Sequence, residues 1–333
     1  MNEDVRYLSF YNFKKAPFSL VPSPHFFFSS KRHLQILDIL NFSLLQGSLI
    51  SVIVGEPGVG KTQVLLTLLS NISKENYLKV EILNPALSPK ELLISILEGM
   101  ENQRFVWEDE VGMKDLKGMT RDAEIKITNS ELGITEVKSE EFMTTLFKPK
   151  IEKSEVSTSG SLFIHKDLLL KLIKDRMTEI KERQAKVLIV IDEAQLLPDE
   201  TLEELRLITN LNEGTEPIIQ ILLIGQPNLR ERLLSAKFLP LRQRISVFEE
   251  LKPLDKEEIM PYLWFRIYQV SEHPEISIHK NVVRTLYKFS RGIPRLINKL
   301  MDRALFIAYT KGERIITKKH IKEAKATFEE IVL

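Results

Sequence analysis

The chain contains no cysteine, which removes disulfides, thiolate metal sites and cysteine nucleophiles at one stroke. It also lacks an excess of either charge. Its 47 Lys and Arg stand against 46 Asp and Glu, a formal net charge of +1, so there is no general basic coat for nucleic acid, although a local patch stays open. No apolar run nears the roughly 20 residues of a bilayer-spanning helix; VLIVI and ILLI are strand-length. The N-terminus MNEDVRYLSF carries acids and lacks the basic start and apolar core of a secretory signal. The six histidines show no metal-ligand spacing, and no Ser-His-Asp arrangement can be supported. What remains is an expected cytoplasmic, soluble protein of ordinary composition, with a sizeable core. Its 333 residues leave room for about two domains.

The periodicity predicts an α/β fold. Four continuous apolar runs, LISVIV (49 to 54), LKVEIL (78 to 83), VLIVI (187 to 191) and IIQILLI (218 to 224), alternate with helical patterns, and RISVFEEL (244 to 251) reads as a fifth strand. Such runs imply a parallel five-stranded sheet covered on both faces. A helix is expected over 31 to 46, closing on Gly47, a residue suited to a left-handed cap. Ser88-Pro89-Lys90-Glu91 and Asp255 to Glu258 read as capping boxes that open further helices. From about Leu254 onward, three or four helical patterns without strands predict a small all-helical lid, breaking near Pro274, Gly292 and Gly312.

Three divisions follow: an arm over 1–34, a nucleotide-binding α/β domain over 35–252, and a helical lid over 253–333. The arm, with APFSLVPSPHFFFSS, is expected to be extended, because each proline disfavours helix before it. Residues 101–160 are charged and rich in Ser and Thr, with short alternating pieces such as EIKIT and ITEVK. They predict a surface insertion with some β structure, a place where partner docking is readily added.

The strongest local signal is GEPGVGKT, comprising Gly55, Glu56, Pro57, Gly58, Val59, Gly60, Lys61 and Thr62. It matches G-x-x-x-x-G-K-[ST] completely and lies between a strand-like and a helix-like run. The glycines let successive amides turn inward toward phosphate oxygens, and the following helix adds the partial positive charge of its N-terminus. Lys61 is expected to reach the β- and γ-phosphates, and the Thr62 hydroxyl to ligate Mg²⁺. VLIVIDEAQ places Asp192 and Glu193 at the end of a buried strand. A phosphate loop needs one carboxylate for the magnesium shell and often another to orient the attacking water. Asp192 suits the first role and Glu193 the second.

GEPGVGKT, VLIVIDEAQLLPDETLEELRLITNLN, LLIGQPNLRERL, LRQRI and RGIPRLINKLMDRAL occur here in the order seen in AAA+ ATPases. More narrowly, the chain resembles the general secretion pathway protein A family, which includes ATPases tied to pilus and exopolysaccharide-export systems. The arm YNFKKAPFSLVPSPHFFFSSKRH is similar to that family's N-terminal stretch. Only 101–160 falls outside the resemblance. The resemblance implies ATP as the nucleotide, Gln226 as the sensor meeting the γ-phosphate and attacking water, and Arg295 as a second sensor from the lid. It further implies Arg244 or Arg242 as an arginine finger offered to a neighbouring subunit. Such a finger is worth about 10³ to 10⁵ in rate, and a ring or filament of about six copies is the family expectation. Phe18, with Pro17 and the aromatics that follow, lies against adenine or anchors the arm. His33 reads as an arm or adenine-pocket contact rather than a base. Longer members carry a membrane span and a wall-binding domain after the ATPase, so direct anchoring of envelope machinery by this chain is not expected.

Two functions are consistent with these residues. In the first, an ATP-hydrolysing AAA+ protein assembles or remodels an unidentified secretion, pilus or polysaccharide-export component. In the second, less favoured by the near-neutral charge, an ATP-switched adaptor of the transposition-targeting type binds DNA. The lid's basic group, Lys299, Arg303, Lys318 and Lys319, would then serve phosphate contacts that weaken with salt.

Overall fold

The computed structural model describes residues 3–73, 76–83, 85–111, 165–212 and 216–332. All five expected strands form: β1 (Ile50–Val54), β2 (Tyr77–Ile82), β3 (Lys186–Ile191), β4 (Ile219–Gly225) and β5 (Ile245–Glu250). They make one parallel sheet in the order β2-β3-β4-β1-β5. Side chains leave alternate faces of a strand, and both faces here are apolar. Ile50, Val52, Val54, Val187, Ile189, Ile191, Ile219, Ile221 and Leu223 enter one core, beneath helices α4 (Pro89–Val111), α5 (Lys166–Glu182), α6 (Asp199–Thr209) and α7 (Pro227–Leu234). Ile53, Leu188, Val190, Leu222 and Ile224 enter a second core with α2 (Lys31–Leu45) and α3 (Lys61–Asn71). That two-sided burial explains why the inner strands β1, β3 and β4 read as nearly continuous apolar runs, whereas the edge strand β2 alternates, leaving Glu81 exposed, and the edge strand β5 is only partly buried.

The helix signals act where expected. Gly47 follows α2 with a left-handed φ of 75°. The Ser88 amide donates to Glu91 Oε2 at 2.7 Å, and the Glu91 amide to Ser88 Oγ at 3.4 Å. Asp255 and Glu258 form the second reciprocal box.

The segment expected to open an insertion near residue 101 differs. Helix α4 runs on through Val111, because nothing from Glu101 to Val111 is Gly or Pro and charged residues propagate an established helix readily. The remainder of the expected insertion, with the pieces EIKIT and ITEVK, lies outside the described residues.

The arm also departs from expectation. Glu3–Phe10 forms helix α1, and Pro24–Phe26 a 3₁₀ turn. The prolines begin at Pro17, so their veto does not reach the first ten residues, and Pro24 stands at the start of its turn, where a missing N–H costs nothing. The arm is pinned by burial. Tyr7, Tyr11, Phe13, Phe18 and Phe26 share one core with four C-terminal helices, α9 (Lys256–Tyr268), α10 (Asn281–Ser290), α11 (Pro294–Thr310) and α12 (Lys318–Val332); the four-residue α8 (Leu239–Arg242) precedes β5. Tyr11 Oη donates to the Leu305 carbonyl at 3.0 Å. Two two-residue strands, β6 (Ser277–Ile278) and β7 (Ile315–Ile316), clip the helical layer together.

The joint between sheet and C-terminal helices depends on one glycine. Leu254, on the connection from β5 to α9, donates its amide to the Gly292 carbonyl at 3.0 Å. Gly292 has φ 82°, and a Cβ there would lie 2.0 Å from the Leu254 carbonyl oxygen. Gly292→Ala is therefore expected to cost on the order of 2–4 kcal/mol, combining left-handed strain with overpacking. Urea unfolding followed by circular dichroism would show it as a lowered midpoint; an unchanged midpoint would mean the backbone relaxes freely at this joint.

Candidate nucleotide site

The phosphate-loop sequence begins where β1, an inner strand between β4 and β5, ends. Gly58 and Gly60 take left-handed φ values of 84° and 111°, and each is also confined by a neighbour. A Cβ on Gly58 would stand 2.6 Å from the Arg295 Cβ, and one on Gly60 would stand 2.9 Å from His33 Nε2. The first contact brings the start of α11 onto the loop, where the Arg295 amide donates to the Gly58 carbonyl at 3.2 Å. The second is a buttress. His33 is buried, with Nε2 3.2 Å from the Val59 carbonyl and Nδ1 2.6 Å from Ser30 Oγ. A carbonyl can only accept, so these partners assign the proton to Nε2. Burial, opposed by the bond to Val59, holds its pKa below the usual histidine value. His33 therefore supports the loop as a neutral ring.

Lys61 opens α3 and folds back over the loop, donating to the carbonyls of Gly55 at 2.8 Å and Glu56 at 3.1 Å. Burial lowers its pKa, against the opposing pull of Glu193 and Asp192. Thr62 Oγ1 donates to Asp192 Oδ2 at 3.3 Å. The hydroxyl and carboxylate expected to serve one cation are thus already adjacent across two elements. They are hard oxygen donors, few in number, and suit Mg²⁺, which keeps waters and phosphate oxygens in most of its positions. No group of three or more His, Asp or Glu gathers into a metal cage among the described residues.

Glu193 has a left-handed φ of 51°, the bend by which the chain turns from β3 into the 3₁₀ turn Ala194–Leu196. Its Oε2 receives Gln226 Nε2 at 3.1 Å and Gln195 Nε2 at 2.5 Å. Burial pushes the Glu193 carboxyl up. The two amide hydrogen bonds and the charges of Lys61 and Arg295 outweigh it and hold the pKa below the usual carboxylate range. The sheet register makes the meeting possible: Gly225 at the end of β4 lies opposite Val54, and Leu223 opposite Ile191, so the three strand ends deliver loop, acids and Gln226 to one edge.

The phosphate loop from Pro57 to Thr62 and Glu193 line a crevice of about 960 Å³, partly open to solvent, while Asp192 and Gln226 stand behind its wall, bonded to Thr62 and Glu193. Its wall also holds an apolar set, Leu20, Val21 and the run Phe26, Phe27 and Phe28. Phe18 is not in this wall. It is 1 % exposed within the arm-and-helix core, so of its two sequence readings the anchor matches its position and adenine contact does not; the neighbouring residues face the crevice instead. Arg295 lines the crevice from α11. Arg242 and Arg244 do not. Arg242 donates to the Leu234 carbonyl at 2.9 Å and Arg244 to Asn210 Oδ1 at 2.6 Å, and neither has a carboxylate in ion-pair reach among the described residues. Both remain candidates for a group offered outward.

Three features escape a reading of the sequence. Arg266, buried on α9, donates to the arm carbonyls of Pro17 at 2.6 Å and Ser19 at 2.8 Å and lies 4.1 Å over the Phe26 ring. Tyr262 Oη donates to Asn298 Oδ1 at 2.7 Å in the same wall. Gln195 joins Glu193 to the backbone of Gln226. A signal for Gln195 exists, a lone amide in the otherwise apolar run AQLL; Arg266 and Tyr262 look like ordinary helix residues until the arm is docked.

Residues 45–233 match the family described as AAA domain. The chain is 29 % identical over 310 residues to general secretion pathway protein A of Aeromonas hydrophila, covering 93 % of this chain and 46 % of that protein; it thus spans about half of that relative's length. The fold is shared with the ORC2 protein of Aeropyrum pernix (TM-score 0.57, 14 % identity, 94 % of this chain and 72 % of that one). It is shared also with Cdc6p from Pyrobaculum aerophilum (TM-score 0.54, 15 % identity, 92 % and 71 %). Matched by family over more than half its length, and with its phosphate loop, Glu193 and residues of the C-terminal helices lining one crevice, the chain belongs to the AAA family of P-loop ATPase domains.

Proposed function

We propose that this protein binds ATP with Mg²⁺ in the crevice between sheet and C-terminal helices, hydrolyses it, and uses the cycle to assemble or remodel a component of a secretion, pilus or polysaccharide-export system. The observation that carries the reading is Glu193: an ionised carboxylate at a strand end, oriented by Gln226 and Gln195, beside the adjacent Thr62 and Asp192 oxygens. In this role Glu193 accepts a proton from water, Gln226 orients it, and Lys61 leaves its two carbonyls for phosphate oxygens. Thr62 and Asp192 hold the Mg²⁺, which when bound neutralises charge on the phosphates. The apolar residues of the crevice wall receive the base.

The contact between Arg295 and Gly58 gives the bound phosphates a direct handle on α11, so turnover changes the angle between sheet and lid. Arg244 or Arg242, neither of which lines this crevice, completes the site of a second copy. The secretion-linked role is supported by similarity along 93 % of the chain to general secretion pathway protein A. Among the described residues no helix is long and apolar enough to cross a membrane.

A DNA-binding adaptor is the second reading, favoured by the exposure of Lys299, Lys318 and Lys319 on the C-terminal helices. Light scattering with and without a slowly hydrolysed ATP analogue, repeated with duplex DNA, separates the two. Growth in mass with nucleotide alone is expected. Growth that requires DNA, and weakens with salt, would transfer the assignment to the adaptor.

A further inference from the structure

We propose that Gln195 is a positioning residue that locks the Glu193 carboxylate to the loop carrying Gln226, an inference that rests on the hydrolytic reading above. Its side chain is buried and used at both ends. Nε2 donates to Glu193 Oε2 at 2.5 Å, while Oε1 accepts the Gln226 backbone amide at 3.0 Å. Gln226 Nε2 reaches the same Oε2 at 3.1 Å, closing a ring of three residues across the ends of β3 and β4. With both donors on Oε2, Oε1 is the Glu193 oxygen with no hydrogen bond among the described residues. A carboxylate held by one oxygen and open at the other is what proton removal from a crevice water requires.

Two neighbours show that space and backbone are arranged for this amide. A Cβ on Gly225 would approach Gln195 Oε1 to 3.1 Å, so the glycine leaves room for it. Arg232 Nη1 donates to the Gln195 carbonyl at 2.7 Å, and its Nη2 to Leu197 O at 2.8 Å and Asp199 Oδ1 at 2.5 Å. The turn is therefore held by its backbone, and the Gln195 side chain is free to serve Glu193.

The test is Gln195→Met, which keeps length and volume but neither donates nor accepts strongly, with Gln195→Glu as a second variant that keeps the acceptor for the Gln226 amide. In Gln195→Met we expect kcat for ATP to fall about 10- to 100-fold, the scale of a misplaced catalytic group, with KM and ADP affinity held within about twofold. Amide exchange of Gln226 in nucleotide-free protein is expected to quicken about tenfold or more, a readout independent of turnover. Gln195→Glu should lose kcat comparably while keeping that amide protected. Unchanged kcat in both variants, from an active wild-type protein, would overturn the positioning role and leave the site assignment standing. So would a loss of ADP affinity in step with kcat, which would mark Gln195 as packing alone. If the wild-type protein failed to hydrolyse ATP, the functional reading would fall, and unchanged exchange at Gln226 would then sink the bridge as well.

Discussion

Lys61→Ala is expected to abolish nucleotide binding in the accessible range, weakening it by about 10² or more, while leaving the fold intact. The scale follows from removing one partner of a desolvated charged contact, about 2–5 kcal/mol. The ammonium is largely buried and, without nucleotide, is satisfied by the Gly55 and Glu56 carbonyls. Burial already disfavours its charge, so deleting it relieves a desolvation cost as it removes two hydrogen bonds. The net effect on stability is expected to be small. Calorimetric titration with ATP analogue and Mg²⁺, beside a thermal melt, checks both halves. Normal turnover by the variant would mean that GEPGVGKT is a glycine turn of another kind.

Glu193→Gln is expected to separate binding from chemistry. The amide keeps the size of the carboxylate, and its oxygen can still accept from Gln195 and Gln226, so the three-way ring and the crevice persist. What disappears is the proton acceptor. Hydrolysis should fall by roughly 10² or more, the usual contribution of a positioned base, with ATP affinity within a few fold of the wild type. Single-turnover kinetics with a binding titration on the same sample measure the two quantities. A variant that hydrolyses at the normal rate would place the water under another residue. A variant that loses binding would make Glu193 a partner of the nucleotide, not of the water.

Both experiments concern residues that stand out in the sequence itself. GEPGVGKT is readable because phosphate binding by backbone amides demands glycine at set spacings, and the demand is local. The three inner strands, β3, β4 and β1, are readable because burial on both faces leaves few polar positions to interrupt their runs; Val187 to Ile191 are all buried. Capping at Ser88 and Asp255 is readable because each box closes within four residues. The arm is not. Nothing in Tyr7, Tyr11 or Phe13 says that they will pack against the C-terminal helices, nearly three hundred residues on, and the helix they follow from is explained by that burial as much as by the absence of proline. Phe18 shows the same limit: an aromatic in an arm that borders the phosphate loop can face the ligand or the core, and here it is in the core.

The sequence by itself determined the class of chemistry. It dictated a loop for phosphates, an acid pair at a strand end and a sheet that brings strand ends to one edge, because each rests on residues within one turn or one strand of each other. Tertiary structure alone decided the rest. It put Gln195 between Glu193 and Gln226, Arg295 against Gly58, and Arg266 beneath the arm, since these partners are brought together by strand order and helix docking, and no spacing along the chain encodes a meeting across it.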